Sequence, residues 1–538
     1  MTMKNKIESV VIVGGGSSGW MTAAAISKQI PTIKLTLIES PNIPTIGVGE
    51  STIGQFNRFL NFLELEDSDW MSKCNATYKT SIKFTDFKNN PDEKPYSFHY
   101  PFGHYDFTDK PNGLMDWFNV TATRDDIDSS NFAEFFHDNV LMTDAGKLTK
   151  NEDHAVRGFN FKTDTAYHLD ATLFGNYLRD YLCLPTGMIH ILDNVVDATL
   201  TSDGSIGHII SENNGKLEAD LFIDCTGFKS LLLEQKLNVP FISFGDTLLN
   251  DRAVAAVIPY VDIDKEMESV TNCTAIESGW VWNIPLWNRI GTGYVYSSQF
   301  ATEEEAEEQF RQHLKSNRMI CQNDTRVDEM KVRHIKIKHG VHERTWEKNV
   351  VGIGLSNGFI EPLESTGLML THECITKLVK VLKARDGRVT RFDVDCFNFA
   401  FRGQIKGFKD FISMHYAFSM RNSSPYWLKA TEETTYSSEM MDYKYAGGTE
   451  SYSLFANKTI RDNRLDPDMG GIPYIAAGMG HNPTSKVIVD NQPVDSRQLN
   501  SVEGVWNNWQ EHRDEVMKKI ELLPTHYEFL KSTIYGES

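Results

Sequence analysis

The apolar run Val10-Val11-Ile12-Val13 meets a glycine turn, and small residues at helical spacing follow from Met21 to Lys28. A second apolar run, Lys34 to Ile38, ends in Glu39. Two short continuous apolar runs flanking a helical pattern predict a βαβ unit and an α/β fold. From about 58 to 155, charged and aromatic segments break the rhythm and include the polar loop Lys88 to Pro95, so this stretch reads as an insertion over the sheet. Helical spacing returns at Ala171 to Leu182. Strands are predicted at Met188 to Leu192, Asp197 to Thr201, Gly207 to Ser211 and Ala219 to Asp224, a run that suits a three-stranded crossover returning to the parent sheet. Val351 to Gly354 resumes that sheet. Beyond Thr371, Phe397, Phe401, Ile405, Phe408, Ile412 and Tyr416 fall at steps of three and four, which predicts a mainly helical C-terminal third. The pattern divides into a module over 1–370 and a helical covering module over 371–538.

The chain has 538 residues, with 54 Lys plus Arg against 73 Asp plus Glu, a formal charge of -19. Without a basic patch, that balance argues against nucleic acid as a partner. Seven scattered cysteines, odd in number and without a CxxC, fit reduced thiols in the cytoplasm better than a disulfide framework. Met1 to Glu8 leads straight into a strand, with no apolar core of a signal peptide. No window approaches the roughly 20 apolar residues that span a bilayer, so neither export nor a membrane span is expected. His339 and His342 form an HxxH without further ligands nearby, so no metal is expected. A G-x-S-x-G elbow for serine hydrolysis is missing.

Gly14-Gly15-Gly16-Ser17-Ser18-Gly19 has the G-x-G-x-x-G spacing between a strand and a helix, and Glu39 lies twenty residues past Gly19. Gly14, Gly16, Ser17 and Gly19 let backbone amides and a helix N-terminus approach a pyrophosphate, and a strand-end carboxylate binds ribose hydroxyls. The alternative, a bare tight turn, lacks this context. The fingerprint indicates a dinucleotide without saying which.

Three further segments are chemically suggestive. In Trp280-Val281-Trp282-Asn283-Ile284-Pro285, alternation places both indoles on one face. Pro285 limits the segment to a sheet edge or a strand end. Taken singly, it reads as a core strand. In Ala76 to Phe84, alternation puts Lys79, Ser81 and Lys83 on one face and Tyr78, Ile82 and Phe84 on the other, which predicts a solvated lysine face. In Gly358 to Gly367, Pro362 and Gly367 bracket a loop before the apolar helix Leu368 to Leu382, and Glu361 and Glu364 there could be ordinary solvated loop residues.

Together the dinucleotide fingerprint, WxWxIP and Gly358-Phe-Ile-Glu-Pro-Leu-Glu-Ser-Thr-Gly367 resemble the flavin-dependent halogenases of the tryptophan halogenase type, over most of residues 8–430. In that family WxWxIP separates halogenases from flavin monooxygenases, because the indoles are thought to bar a substrate from the flavin. The resemblance implies an FAD-binding Rossmann-like module of the flavin monooxygenase/glutathione-reductase type. FAD would arrive as FADH2 from a separate NAD(P)H-dependent flavin reductase, since a second GxGxxG is missing, and would act with O2 and a halide ion. Gly47 to Thr52 resembles the family's GxGEST loop and adds Gly49 and Glu50 to the cofactor site. Asp224-Cys-Thr-Gly227 resembles the strand-end motif of flavin oxidoreductases, and Val351 to Leu355 resembles the strand beside the isoalloxazine. Asp224, Gly354, Leu355 and Leu368 therefore join the cofactor set.

By the same resemblance, Lys79 is the lysine that captures hypohalous acid, by hydrogen bond or as a haloamine; desolvation of such a lysine favours the neutral amine. Glu364 polarises the halogenating species and takes the ring proton. Thr366 and Gly367 offer backbone amides to halide, and Trp280 and Trp282 wall the passage. In tryptophan-specific relatives a His-Pro-Phe unit stacks on the indole. Here His99-Tyr100-Pro101-Phe102 puts Tyr100 in the histidine position and keeps Phe102 for substrate stacking. Met440 to Asn457 does not match the family's amino-acid clamp. The expected function is an FADH2-dependent halogenase of an indole or other small electron-rich aromatic. Simple indoles should match or exceed tryptophan, and bromide or iodide should outperform chloride. The alternative is a flavin-dependent monooxygenase or oxidoreductase without halogenation. Oligomeric state stays open, with a homodimer or larger assembly as candidates.

Overall fold

Strand Ser9–Val13, helix Ser17–Gln29 and strand Lys34–Glu39 form the predicted βαβ unit. The strands pair in parallel, Val10 opposite Leu35 and Val13 opposite Ile38. Strands buried on both faces need unbroken apolar runs, as Val10 to Val13 supplies. Ala23, Ala24 and Ala25 are fully buried, so the helix lies close to its neighbours. The computed structural model describes residues 6–42, 47–91, 96–103, 113–316, 324–445, 471–482 and 501–536.

The chain forms two compact units, the first from 1–76, 168–245 and 338–406, the second from 77–167, 246–337 and 407–538. Both differ from a contiguous division. The boundary expected at 370 falls inside helix Gly367–Ala384, and the stretch 58–155 is shared between units at residue 76.

The first unit holds a six-stranded sheet in the order Trp346–Glu347, Val350–Gly352, Leu221–Asp224, Ser9–Val13, Lys34–Glu39, Ile189–Leu192. All pairings are parallel except that of Trp346–Glu347. The strand expected at Met188 to Leu192 forms the parallel edge of this parent sheet, as Ile189–Leu192, and is no part of the crossover. The crossover is an antiparallel sheet of Val195–Leu200, Ile206–Ser211 and Gly215–Leu217, the last of these not among the expected strands. Its Ala198, Ile206 and Ile209 join Val11, Val13 and Phe222 in one core. Beyond it, helix Gly367–Ala384 buries Leu368, Ile375, Leu378 and Leu382.

The second unit is built on a seven-stranded sheet in the order Val332–Lys336, Arg252–Ile258, Arg289–Tyr296, Gly279–Leu286, Val270–Ile276, Ser81–Thr85, Ser97–Pro101. The WxWxIP strand is interior rather than at the edge. Its pairing with Val270–Ile276 ends at Asn283, so Pro285 lies beyond it and its missing N–H removes no bond from that neighbour. Only the strand-end half of the Pro285 expectation survives. Helix Glu303–Ser316 covers part of the sheet with Ala306, Phe310 and Leu314, against Val254, Val281 and Tyr294.

The expected solvated lysine face does not exist. Thr80 splits the run into strands Thr77–Lys79 and Ser81–Thr85, its N–H donating to the Ser269 carbonyl at 2.8 Å. Strands flank Ser81–Thr85 on both sides. Lys79 and Ser81 are fully buried, and Lys83 is half-buried with Asp144 at 2.8 Å. Among the described residues, no helix is long and apolar enough to cross a membrane.

Gly293, on the strand beside WxWxIP, is sterically required. A Cβ there would lie 2.2 Å from the Trp282 ring and 2.6 Å from the Val254 carbonyl oxygen. Gly293→Ala forces ring or backbone to yield, and overpacking of this kind costs about 1–3 kcal/mol. We expect a lower denaturant midpoint with an unchanged m-value; a midpoint equal to wild type would show that the indole has room to move.

Candidate active site

In the first unit the glycine turn is shaped by what it must avoid. Gly14 has φ +109°, and a Cβ there would meet the Cys225 carbonyl oxygen at 2.3 Å; one at Gly19 would meet the Gly14 oxygen at 1.9 Å. Gly16 faces open space, with nothing within 4 Å of where a Cβ would stand. Helix Ser17–Gln29 begins after Gly16 without a side-chain cap, so its first amides are available to an anion. Ser17 donates its hydroxyl to the Ala171 carbonyl at 3.3 Å. Glu39 ends the second strand and accepts a hydrogen bond from His190 Nε2 at 2.8 Å. Gly354, at φ +72°, comes close enough to Ser18 that a Cβ would lie 2.9 Å from its hydroxyl oxygen, and Leu355 beside it is exposed. These residues fit a dinucleotide: an open glycine, a free helix N-terminus and a ribose-side acid.

Asp224 behaves differently from the expected cofactor contact. It is fully buried, and its carboxylate accepts from Thr226 N, Thr226 Oγ1, Leu232 N and Leu233 N at 2.6–3.0 Å. Those bonds hold the turn after the strand, so any contribution of Asp224 to a cofactor site passes through that turn's backbone.

Glu50 and Ser51 pair antiparallel with Leu169 and His168, after Gly49 at φ +107°. Glu50 keeps a partly accessible edge, yet the surrounding protein desolvates its carboxyl and lifts it to about 7. Its Oε2 lies 3.9 Å from where a Cβ of Gly367 would stand. There helix Gly367–Ala384 starts, with Thr366 as an N-cap that makes no side-chain capping bond. Thr366 is fully buried, and among the described residues its hydroxyl has no hydrogen-bond partner. Ser365, at φ +58°, donates to the Ser51 hydroxyl at 3.0 Å and so ties this loop to the Glu50 strand. Glu361 and Glu364 are fully buried and Leu368 is 6% exposed, so the loop glutamates are not solvated ones.

Lys79, Tyr100, Phe102, Trp280 and Trp282 belong to the second unit. Lys79 Nζ lies 5.1 Å from the Phe102 ring centroid, a cation–π distance. Phe102 is held by its own N–H to the Thr80 carbonyl at 2.9 Å and by Asn139 Nδ2 to its carbonyl at 3.3 Å. Tyr100 stacks on Tyr474 at 5.6 Å and 22°, with Phe411 edge-on at 6.2 Å. Tyr474 also pairs through its hydroxyl with His137 Nε2. A Cβ at Gly471 would lie 2.7 Å from the Tyr100 ring, so helix Ile472–Gly478 is seated on that ring. One face of Tyr100 is therefore taken by protein. His99 accepts or donates at Ser81 Oγ, 2.8 Å, and meets Asp144 at 3.1 Å. Burial pushes Asp144 up, but His99 and Lys83 outweigh it and hold the carboxyl well below the usual range. Trp280 is fully buried and Trp282 half-buried, their rings 6.2 Å apart.

Sequence reasoning missed His190, Tyr474, His137 and Asn139. Each acts on a partner more than thirty residues away, and no local spacing signals that. Of the Met440 to Asn457 stretch, residues 446–457 lie outside the described residues. Among the described residues, no group of three His, Cys, Asp or Glu is placed to hold a metal.

The tryptophan halogenase family model matches residues 9–458. The chain is 32% identical to the 7-chloro-L-tryptophan 6-halogenase KtzR of Kutzneria sp. (strain 744), covering 97% of this chain and 98% of that protein. It is 35% identical to the tryptophan 6-halogenase SttH of Streptomyces toxytricini, covering 78% and 80%. The apo structure of VirX1 has a TM-score of 0.88 at 44% identity, covering 99% of this chain and 100% of that one. The fold is that of the flavin-dependent halogenases. The chain belongs to the tryptophan halogenase family.

The Glu50 shift gives a pH test. A carboxyl that titrates near 4.5 unfolded and near 7 folded binds more protons in the folded state between those values. Folding stability from this group is then fully present below about pH 4.5 and falls as pH rises to about 7. Glu50→Gln removes that loss. In flavin-free protein the variant should match wild type near pH 4.5 and gain relative stability up to pH 7, with a constant advantage above. A difference in denaturant midpoint that is flat from pH 5 to 8 would refute the raised value.

Proposed function

We propose that the protein is an FADH2-dependent halogenase that uses O2 and halide to make hypohalous acid and delivers it to Lys79 for electrophilic halogenation of an indole or another electron-rich aromatic. The observation that carries this reading is the fully buried Lys79 amine above the Phe102 ring. Full burial is unusual for a lysine. The chemistry a reduced flavin supplies is the two-electron activation of O2 that oxidises halide. Gly14, Gly16, Ser17, Gly19 and Glu39 would hold the pyrophosphate and ribose of FAD, with Gly49, Glu50, Gly354, Leu355 and Leu368 nearer its ring system.

Halide would be held by the amides of Thr366 and Gly367 at the start of an eighteen-residue helix, where the helix dipole favours an anion. Glu50, with its carboxyl lifted to about 7, carries less negative charge against that anion at neutral pH than an ordinary glutamate would. Burial at Lys79 excludes the water that would otherwise consume the oxidant. Phe102 would face the substrate ring, and Glu364, fully buried, would take the proton released when the carbon–halogen bond forms. Trp280 and Trp282 would wall the passage that keeps substrate from the flavin. A separate NAD(P)H-dependent reductase would supply FADH2.

The test combines the protein with FAD, a flavin reductase, NADH, chloride, bromide or iodide and a panel of aromatics, with products read by mass spectrometry. Lys79→Ala is expected to abolish halogenated product while binding FAD as wild type does; product at near wild-type rate would remove Lys79 from the mechanism. Because Tyr100 stands where tryptophan-specific relatives carry histidine, simple indoles should match or exceed tryptophan. A kcat/KM for tryptophan more than about 100-fold above that for indole, the scale at which a site built on polar groups rejects analogues lacking them, would overturn that assignment.

A further inference from the structure

We infer that His190 is a positioning residue for the adenosine half of FAD, holding the Glu39 carboxylate so that one oxygen is turned toward the ribose; the inference rests on the FAD reading above. Glu39 ends strand Lys34–Glu39, and His190 stands opposite Leu37 on the edge strand Ile189–Leu192. Leu37 and Glu39 share a face, so the His190 and Glu39 side chains project from the same side of the sheet as diagonal neighbours. They meet at 2.8 Å, His190 Nε2 to Glu39 Oε1.

The second oxygen lies over the glycine turn. A Cβ at Gly15 would lie only 1.7 Å from Glu39 Oε2, so this oxygen occupies the space that the glycine leaves open above the turn. The two oxygens are thus divided, one to the imidazole and one to the glycine turn, where a dinucleotide's ribose is bound. The imidazole is itself fixed from the helix side. Trp20, the residue after Gly19, meets it edge-on at 5.0 Å and 77°. Both partners are largely shielded, with side chains 17% and 19% exposed.

The charges nearby do not replace this bond. Arg179 lies within electrostatic reach of Glu39, and Asp180 within reach of His190. Their side chains pair with each other, Arg179 Nε to Asp180 Oδ1 at 2.7 Å. Glutamate carries a large rotamer entropy. An acid held in place before the ligand arrives spares that ordering on binding, which is how preorganisation raises affinity.

The test compares ligands that carry or lack the adenosine. FAD, FMN and ADP binding are measured by flavin fluorescence and calorimetry on wild type, His190→Ala and His190→Gln. His190→Ala should weaken FAD and ADP by about tenfold or more, the scale of one lost hydrogen bond to a charged group. FMN, which lacks the AMP half and so never meets Glu39, should bind His190→Ala as it binds wild type. His190→Gln, whose amide can still donate to Glu39, should recover most of the loss. Unchanged FAD affinity in His190→Ala, or equal weakening of FAD and FMN, would overturn the inference. Failure of wild type to bind FAD at all would instead refute the flavin reading and this inference with it.

Discussion

The first unit depends on a contact that tolerates no side chain. At Gly14 the chain leaving the first strand passes against the Cys225 carbonyl, and at Gly19 the helix returns against the Gly14 carbonyl. A methyl at either position would sit inside backbone atoms that cannot rotate away. The parallel pairing of Ser9–Val13 with Leu221–Asp224 brings those atoms together. The same approach sets the helix N-terminus above the strand ends, places Ser18 against Gly354 and leaves Gly15 beneath Glu39. Sheet, helix and candidate cofactor site are therefore one steric solution.

Buried acids show two ways of meeting the cost of removing charge from water. Asp224 offsets part of that cost by accepting four hydrogen bonds from its own turn, although burial still outweighs them and lifts its carboxyl above the usual range. Glu50 has no comparable set of donors and holds its proton up to about pH 7. The difference follows from position. Asp224 precedes a tight turn whose amides converge on it, whereas Glu50 lies in a two-residue strand whose backbone amides belong to a ladder.

What the sequence disclosed depended on the range of the interaction. The βαβ unit and two of the crossover's three strands were legible because continuous apolar runs, a glycine turn and strand-length spacing are local signals, and these segments fold as local pairs. The burial of Lys79 was not legible from alternation. Two-residue periodicity assumes an unbroken strand with one wet face, and Thr80 breaks the strand while neighbours on both sides cover its second half, Ser81–Thr85. The interior position of WxWxIP was likewise hidden, because Pro285 advertises an edge and only the register with Val270–Ile276 shows that the strand's end clears it. At the candidate site the glycine fingerprint and the loop before Gly367 could be read residue by residue. The stack of Tyr474 on Tyr100 joins positions 374 residues apart and leaves no trace in either segment.

The chain passes from one compact unit to the other at residues 76, 167, 245, 337 and 406. As the polypeptide leaves the ribosome, strand Ser9–Val13 must wait for Leu221–Asp224, and that strand for Val350–Gly352, before the parallel sheet can close. Neither unit is a translational product in its own right. Contacts of such long sequence separation make closure slow, and they leave no single peptide bond at which the chain could be cut to yield two self-sufficient halves. Recombination between related enzymes at one crossover would mix strands within a sheet rather than exchange modules, so hybrids of this architecture require several coordinated junctions.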